Sequence, residues 1–427
     1  MSVIYRYKNY QFKPTEMSDS GEVRSTDMIA DSVVHYLSIF KHDVIPPLLS
    51  FFYLLSVGSV FFDAVHYELH GCNKSSHPFL RYLSRIHRFH HLYFTRHLKF
   101  DKKYLQQNRF QALPLELVLQ IIGTVLGYIF ASLVTPKGVF WVTRNHLWIT
   151  IIFQILRTTF VILSSGRDTN HITYQTPPKD TNWLFVGPEF HSLHHIYPDR
   201  YMGSFVKTFD WIWGTAYSFK GKRIAITGGN GAFGQAIVKE LEREERGSCI
   251  RKLKFGTDWD HHHFEKALPI LSNSDILILA HGSKGEDAVE SNCNAAIRLI
   301  KLFKEHRVAN PACPTLPEVW YVGSEIELHP AWGNKELQRY SRSKRMFLPQ
   351  ARSFFDDPDI IYRHIVPSAF HSPMGAAVLS ADWAAKCAIW WIRRGARYIP
   401  VTYTGIAWLN YFKFMYRIPY AKDTDKI

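Results

Sequence analysis

The sequence predicts a multi-domain chain: an all-α helical bundle built into a membrane, followed by an α/β domain on a parallel sheet. Three observations carry this expectation. Three apolar runs near the length of a bilayer crossing fall within the first 163 residues. Three histidine boxes lie just outside those runs. After residue 220 the long apolar runs stop, and short apolar strands alternate with helical segments behind a glycine-rich turn.

Length and composition bound what these parts do. At 427 residues the chain exceeds one ordinary domain. A formal charge of +14 suits nucleic acid or a membrane surface. There is no zinc-finger, RRM or basic-helix pattern, so nucleic acid is not an expected partner. Aromatic residues reach 15% and many flank the apolar runs, which favours a membrane. The five cysteines, Cys72, Cys249, Cys293, Cys313 and Cys387, form no CxxC and are odd in number. Free thiols in a reducing compartment follow from that usage. The first 30 residues are polar and mixed in charge, without a signal-peptide core, and 1–40 is set apart as an N-terminal polar segment.

The membrane region is expected over 41–218. Its first run, 44–65, carries one charge, Asp63, near the end that leads into His66. The second, 112–134, carries only Glu116, and the third, 147–163, is interrupted by Arg157. Pro136 and a short polar stretch separate these two, as in a helical hairpin. The boxes read His66-Tyr-Glu-Leu-His70, His87-Arg-Phe-His90-His91 and His191-Ser-Leu-His194-His195. Residues at i, i+3 and i+4 share a helix face, and neutral imidazole binds first-row transition metals. Three such faces could enclose two ions. One crossing followed by a hairpin brings every box to the same side. Lys and Arg at 74, 81, 85, 88, 96, 99, 102 and 103 place that side in the cytoplasm by the positive-inside tendency. The expected localisation is an integral, multi-pass membrane protein with the boxes and the α/β domain on the cytoplasmic side.

The α/β domain is expected over 219–402. Lys222–Thr227 reads as a buried strand, Gly228 to Gly234 as a turn, and Ala236–Glu245 as a helix. Further strands are expected at 249–255, 275–280, 318–322, 360–366 and 398–402, with one strand missing between the second and Asp275. In Thr227-Gly228-Gly-Asn-Gly231-Ala-Phe-Gly234 the glycines let the backbone approach a pyrophosphate, and the following helix N-terminus favours its charge. That makes the domain Rossmann-like, with Thr227, Gly228, Gly231 and Gly234 as cofactor-binding candidates. No acidic residue closes the second strand, while Lys252 and Lys254 suit a 2′-phosphate, so NADP is preferred over NAD. His261, His262 and His263 read as a solvated loop. Residues 403–427, rich in Trp, Tyr and Phe with a few cations, read as a helix lying in a membrane interface or docked on the domain, with a tail.

Over 45–215 the three boxes resemble the membrane fatty acid hydroxylase and sterol desaturase superfamily. The resemblance implies a non-haem di-iron centre, two Fe, held by His66, His70, His87, His90, His91, His171, His191, His194 and His195. His171 fits the further histidine that precedes the last box in that family. His97 is a weaker candidate, His77 a loop residue, and His35, His42 and His146 structural or solvent-exposed. Breaking an unactivated C–H bond takes a strong oxidant made from O₂, in a site that excludes bulk water. Carboxylates that orient the imidazoles are expected among Glu68, Asp168, Glu189 and Asp199.

Over 221–402 the glycine turn, with Tyr340-Ser-Arg-Ser-Lys344 and Ser324 ahead of it, resembles the short-chain dehydrogenase/reductase family. The resemblance implies Tyr340 as general acid/base, Lys344 as the cation that lowers its pKa and holds the ribose, Ser324 as the residue orienting the reacting oxygen, and Asn292 as support for a proton relay. Pro367 to Met374 resembles the segment that closes over the nicotinamide. Ala280-His281-Gly282 departs from the family's Asn-Ala-Gly. The order of the two regions resembles the fused bifunctional sterol desaturase/short-chain dehydrogenase proteins. The expected function is a membrane di-iron oxidoreductase that hydroxylates or desaturates a lipid of sterol or fatty acid type with O₂. The second domain would oxidise or reduce the product. A hydride donor moves two electrons together and no iron–sulfur motif is present, so a separate ferredoxin, cytochrome b5 or reductase would supply the iron. Carotenoid hydroxylation and aldehyde decarbonylation fit the same boxes. A non-catalytic scaffold sensing NADP(H) is the alternative of a different class.

Overall fold

The computed structural model describes residues 44–134, 142–245, 247, 249–311, 314–329 and 333–421. The polar segment 1–40, His35, His42, Cys313 and the tail from 422 lie outside the described residues.

Helix α1 (Ile45–Gly71) starts on two prolines, which suit a first turn because its N–H groups have no partner inside the helix. The apolar run stops at Val65, but nothing breaks the helix before Gly71. His66 and His70 therefore sit on the spanning helix itself rather than after it. A turn leads to α2 (Pro78–Tyr93), whose buried side is Ser84, Ile86, His87, His90 and Tyr93. Helices α3 (Leu113–Val134) and α4 (Arg144–Leu163) follow. Three stretches, Ile45–Lys74, Lys102–Val134 and Arg144–Leu163, are long and apolar enough to cross a membrane. Their contacts use small residues. A Cβ on Gly58 would lie 2.4 Å from Thr124 Oγ1, and one on Gly123 would lie 2.5 Å from Phe61 Cβ. With no side chain at either position, α1 and α3 touch backbone to backbone. Gln154 of α4 donates to Thr124 Oγ1 at 2.9 Å, a polar tie inside an apolar bundle. Two short helices complete this half: α5 (Pro188–Ile196) and α6 (Thr208–Trp213). The second ends at Gly214 with φ +68, a left-handed cap.

The second half is a doubly wound α/β domain. Its strands are β1 (Arg223–Thr227), β2 (Cys249–Leu253), β3 (Ile276–Leu279), β4 (Glu318–Val322), β5 (Ile361–Pro367) and β6 (Tyr398–Val401). Among the described residues they form one six-stranded sheet in the order β2-β1-β3-β4-β5-β6, every pair parallel. Near-continuous burial along β3, β4 and β5 is what a sheet covered on both faces requires. Helices α7 (Ala232–Glu244) and α10 (Ala381–Arg393) cover one face. Helices α8 (Ala295–His306) and α9 (Lys335–Asp356), with the buried side of α11 (Ile406–Arg417), cover the other. The strand expected to be missing after β2 is indeed replaced, by short helical turns at Phe264–Ala267 and Leu268–Leu271. Strand order reverses between β1 and β3, which opens a crevice at their carboxyl ends.

The two halves touch. Tyr217 and Lys222, in the connection, bond Glu318 of β4 at 2.6 and 3.1 Å. Arg393 and Arg394, at the end of α10, donate to Gly214 O and Ile212 O.

Candidate functional site

The nine histidines of the boxes and His171 converge, in two groups. His66, His70, His87, His91 and His194 form one; His90, His171, His191 and His195 form the other. Within each group the potential ligand atoms lie within 4.8 Å of one another. Both HxxHH boxes divide between the groups. Neighbouring helix positions point about 100° apart, so His90 and His91 diverge, as do His194 and His195. The partners four residues apart, His87 with His91 and His191 with His195, stay together.

The nitrogens that converge are the Nε2 atoms. His66–His70, His70–His87, His87–His91 and His91–His194 approach at 3.0 to 3.2 Å in one group. His90–His171, His171–His191 and His191–His195 do so at 3.1 to 3.3 Å in the other. Two Nδ1 atoms have acceptors that fix the tautomer. His194 Nδ1 donates to Arg200 O at 2.8 Å, and His171 Nδ1 donates to Asp168 Oδ1 at 2.6 Å. Each then presents an Nε2 lone pair inward. The Nδ1 atoms of His66, His91 and His195 are buried without a hydrogen bond. Burial holds His87, His91, His191, His194 and His195 well below the usual histidine range, and brings His90 to about 3, with the neighbouring His171 adding to it. Neutral imidazoles with lone pairs aimed at two common points are the donor set a pair of transition-metal ions requires.

The residues around the imidazoles differ in part from expectation. Asp168 bonds His171 and also accepts from the Asn170 and His171 N–H groups, which shapes the turn that presents the ring. Glu68 is exposed, Glu189 interacts with Tyr174, and Asp199 influences His70 only through its charge. None of these three bonds an imidazole in the described structure. The other carboxylate near a ring is Glu116, 3.6 Å from His90 Nδ1 and beyond hydrogen-bond reach. The sequence signal was there, as the lone charge in an apolar run. His97 is exposed in the turn after α2, which ends at Tyr93, and belongs to neither group.

The second site lies at the carboxyl ends of β1 and β3. Gly228 has φ +66, and a Cβ there would fall 2.5 Å from His281 N; a Cβ on Gly234 would fall 2.1 Å from Gly228 O. The turn can close this tightly only with glycine at both places. Helix α7 begins after Gly231 with no side-chain cap, leaving its first N–H groups without a side-chain partner. Lys252 packs along Gly229. A pyrophosphate fits this cradle. Thr227 Oγ1 meets His281 Nδ1 at 2.6 Å, while His281 Nε2 donates to Ser291 O at 3.0 Å. His281, at the position where the resembled pattern has alanine, thus ties β3 to β1, and burial lowers it to about 4.

A cavity of about 630 Å³ opens beside the turn, lined among others by Ser324, Tyr340, Lys344, His281 and Phe233. Burial pushes the Tyr340 hydroxyl up to about 12, the charge of Glu327 adds to this, and a hydrogen bond from Ser324 opposes it. Lys344 Nζ lies 5.8 Å from the Tyr340 ring centre and donates to Val322 O at 2.8 Å. Burial lowers that ammonium to about 8. Asn292 stands just before α8. Its side chain bonds the Ser283 backbone and Ser343 Oγ, holding the β3 exit loop against α9. His261, His262 and His263 form a loop around Asp260, as expected of a solvated segment.

No family model matches the chain. It is similar to the monoglucosyldiacylglycerol epimerase of Synechocystis sp., with 28% identity over 265 residues, 56% of this chain and 62% of that protein. The chain thus spans less than two thirds of that relative's length. Similar solved structures include a short-chain dehydrogenase from Burkholderia cenocepacia in complex with NADP (12% identity, 47% of this chain and 96% of that one, TM-score 0.37). Another is a short-chain dehydrogenase from Sphingobium yanoikuyae in complex with NADPH (13% identity, 48% and 100%, TM-score 0.36).

Proposed function

We propose that the chain is a membrane-bound, lipid-modifying oxidoreductase with two sites on the cytoplasmic side. The histidine centre, loaded with two Fe, would hydroxylate or desaturate a lipid, and the α/β domain would interconvert an alcohol and a carbonyl with NADP or NAD. The convergence of nine imidazoles into two groups is the observation that carries this reading. When bound, the metal pair supplies O₂ activation. The chain's own residues hold the ions, keep the site neutral by burial, and exclude water. Phe62 stacks on His66, and Phe94 packs edge-on to His171 and His195. Hydroxylation takes one O₂, two electrons and two protons and releases water, so a ferredoxin, cytochrome b5 or reductase must deliver the electrons. In the second site the dinucleotide supplies the hydride acceptor or donor. Ser324 holds the reacting oxygen, the Tyr340 phenolate takes its proton as the carbinol carbon gives up hydride, and Lys344 favours that phenolate beforehand.

The similarity to a glycolipid epimerase supports a second reading. Oxidising a sugar carbinol to a ketone and returning hydride to the other face inverts that carbon with no net redox change and no O₂. The second site has the groups for it. Lipid mass spectrometry on cells expressing wild type, His194→Ala or Tyr340→Phe separates the two. The first reading expects lipids that gain one oxygen or lose two hydrogens with wild type and not with His194→Ala. Identical profiles for those two proteins would reject it. An epimer of unchanged mass that requires Tyr340 but not His194 would establish the second.

A further inference from the structure

Helix α11 has its polarity reversed for a helix docked on a water-soluble domain. Ala407, Asn410 and Phe414 face the sheet, while Trp408, Leu409, Phe412 and Tyr416 face outward, with Leu409 63% and Tyr416 81% exposed. Helices docked on a soluble domain turn a polar stripe outward. An apolar outer stripe closed by Arg417 is the pattern of a helix lying in a membrane interface.

The stripe is continuous with the membrane half. Trp408 packs edge-on to Trp391 at 5.3 Å, and the neighbouring Trp390 carries the Arg394 guanidinium 3.6 Å from its ring centre. The same guanidinium donates to Ile212 O of α6, which exposes Ile212 and Trp213. Phe209 of α6 lies 5.8 Å from Tyr67, just past the point where the apolar run of α1 ends. Exposed Trp213, Trp390 and Trp408, with Arg394 among them, therefore lead from α6, which packs on the end of a spanning helix through buried Phe209, to the far edge of the sheet. Trp and Tyr collect at that level of a bilayer, and arginines there meet anionic head groups. This path also reaches the cavity: Tyr403, Thr404 and Ile406, directly before and at the start of α11, form part of its lining.

We infer that α11 is seated in the head-group region of the bilayer that α1, α3 and α4 cross, so that the dinucleotide-site cavity opens to lipid. A lipid would then present its head group to Ser324 and Tyr340 while its acyl chains stay in the membrane. The inference rests on the proposed membrane reading and deepens its second site. Its test reads position rather than turnover, so a correctly seated but inactive protein would sink the proposed chemistry alone.

The test uses full-length protein in nanodiscs of phosphatidylcholine and phosphatidylglycerol. An environment-sensitive fluorophore is placed on Leu409→Cys in a Cys249→Ser background, after subtraction of the parent signal. The reference is the same fluorophore on native Cys249, exposed on β2 at the opposite edge of the sheet. The expected result at 409 is quenching by lipids carrying a shallow nitroxide, and iodide quenching at least about threefold weaker than at 249. Equal iodide access at the two positions would overturn the inference. So would shielding at 409 from both quenchers, which would mean that protein, such as a second copy, covers the helix.

Discussion

At the residue scale, the centre depends on how each imidazole is turned. Asp168 holds His171 by one side-chain and one backbone hydrogen bond, and its interaction with that ring is the main influence keeping the carboxylate ionised against its burial. Asp168→Asn would keep the shape but lose the strong acceptor that fixes the tautomer. Metal affinity is expected to fall about 10- to 100-fold, read by competition with a chelator. Unchanged affinity would show that His171 needs no orienting partner. The pair Tyr340 and Lys344 yields a pH profile. Alcohol oxidation needs the Tyr340 phenolate, so its rate should climb with pH while the hydroxyl, near 12, is mostly protonated. Lys344 loses its proton near 8, removing the cation that favours the phenolate, so the climb should flatten above that pH. Lys344→Met should lower the rate and erase the bend. A profile flat from about pH 6 to about pH 8 in NADPH formation would reject this assignment. The histidines were legible because their spacing is local. Their division between two groups, and the approach of Glu116 to His90, depend on how helices meet and leave no mark in spacing.

At the element scale, strands and spanning helices were read to within a few residues because apolar periodicity dictates them. The exceptions are instructive. Helix α1 outlasts its apolar run because hydropathy records burial in lipid rather than backbone geometry, which carries on until a breaker. The choice for the C-terminal segment, interfacial or docked, could not be made from composition, since α11 buries one face against the sheet and leaves an apolar face exposed. What fixes the connection to the sheet is likewise non-local. Glu318 of β4 binds Tyr217, Lys222, Trp320 and Arg363, all buried. Burial opposes its ionisation, yet Lys222 and Arg363 outweigh that and bring it down to about 2. A depressed carboxylate contributes stability that is present above its unfolded value and lost as pH falls through its folded one. The contribution should therefore hold at neutral pH and fade below about pH 4.5, toward 2. Glu318→Gln leaves two buried cations without their counter-charge and should cost about 3–5 kcal/mol. Denaturant unfolding of the α/β half at neutral pH, repeated at acid pH, checks both the size and the fading. A deficit that persists unchanged in acid would mean that packing, not charge, is lost.

At the scale of the whole molecule, the halves differ in what holds them together. The sheet domain has two extensive apolar cores, one on each face. The histidine centre instead gathers α1, α2, the turn at 168–171 and α5 around groups that attract one another weakly without metal. Burying unpartnered Nδ1 atoms costs free energy that only ligation of the facing Nε2 atoms offsets. Metal loading is thus expected to stabilise the membrane half selectively. Stripping the ions with a chelator should raise amide exchange in α2 and α5 while leaving β3 and β4 protected. Adding NADP should do the converse, protecting β1 and the start of α7, with a gain of about 2.7 kcal/mol at a hundredfold excess over Kd. His194→Ala should resemble the stripped protein without further response to the chelator. The links through Glu318 and Arg393 set the limit of this independence. If chelation loosened β3 and β4 as much as α5, the two halves would be one cooperative unit, and the histidine centre would be bracing the dinucleotide site as well as its own helices.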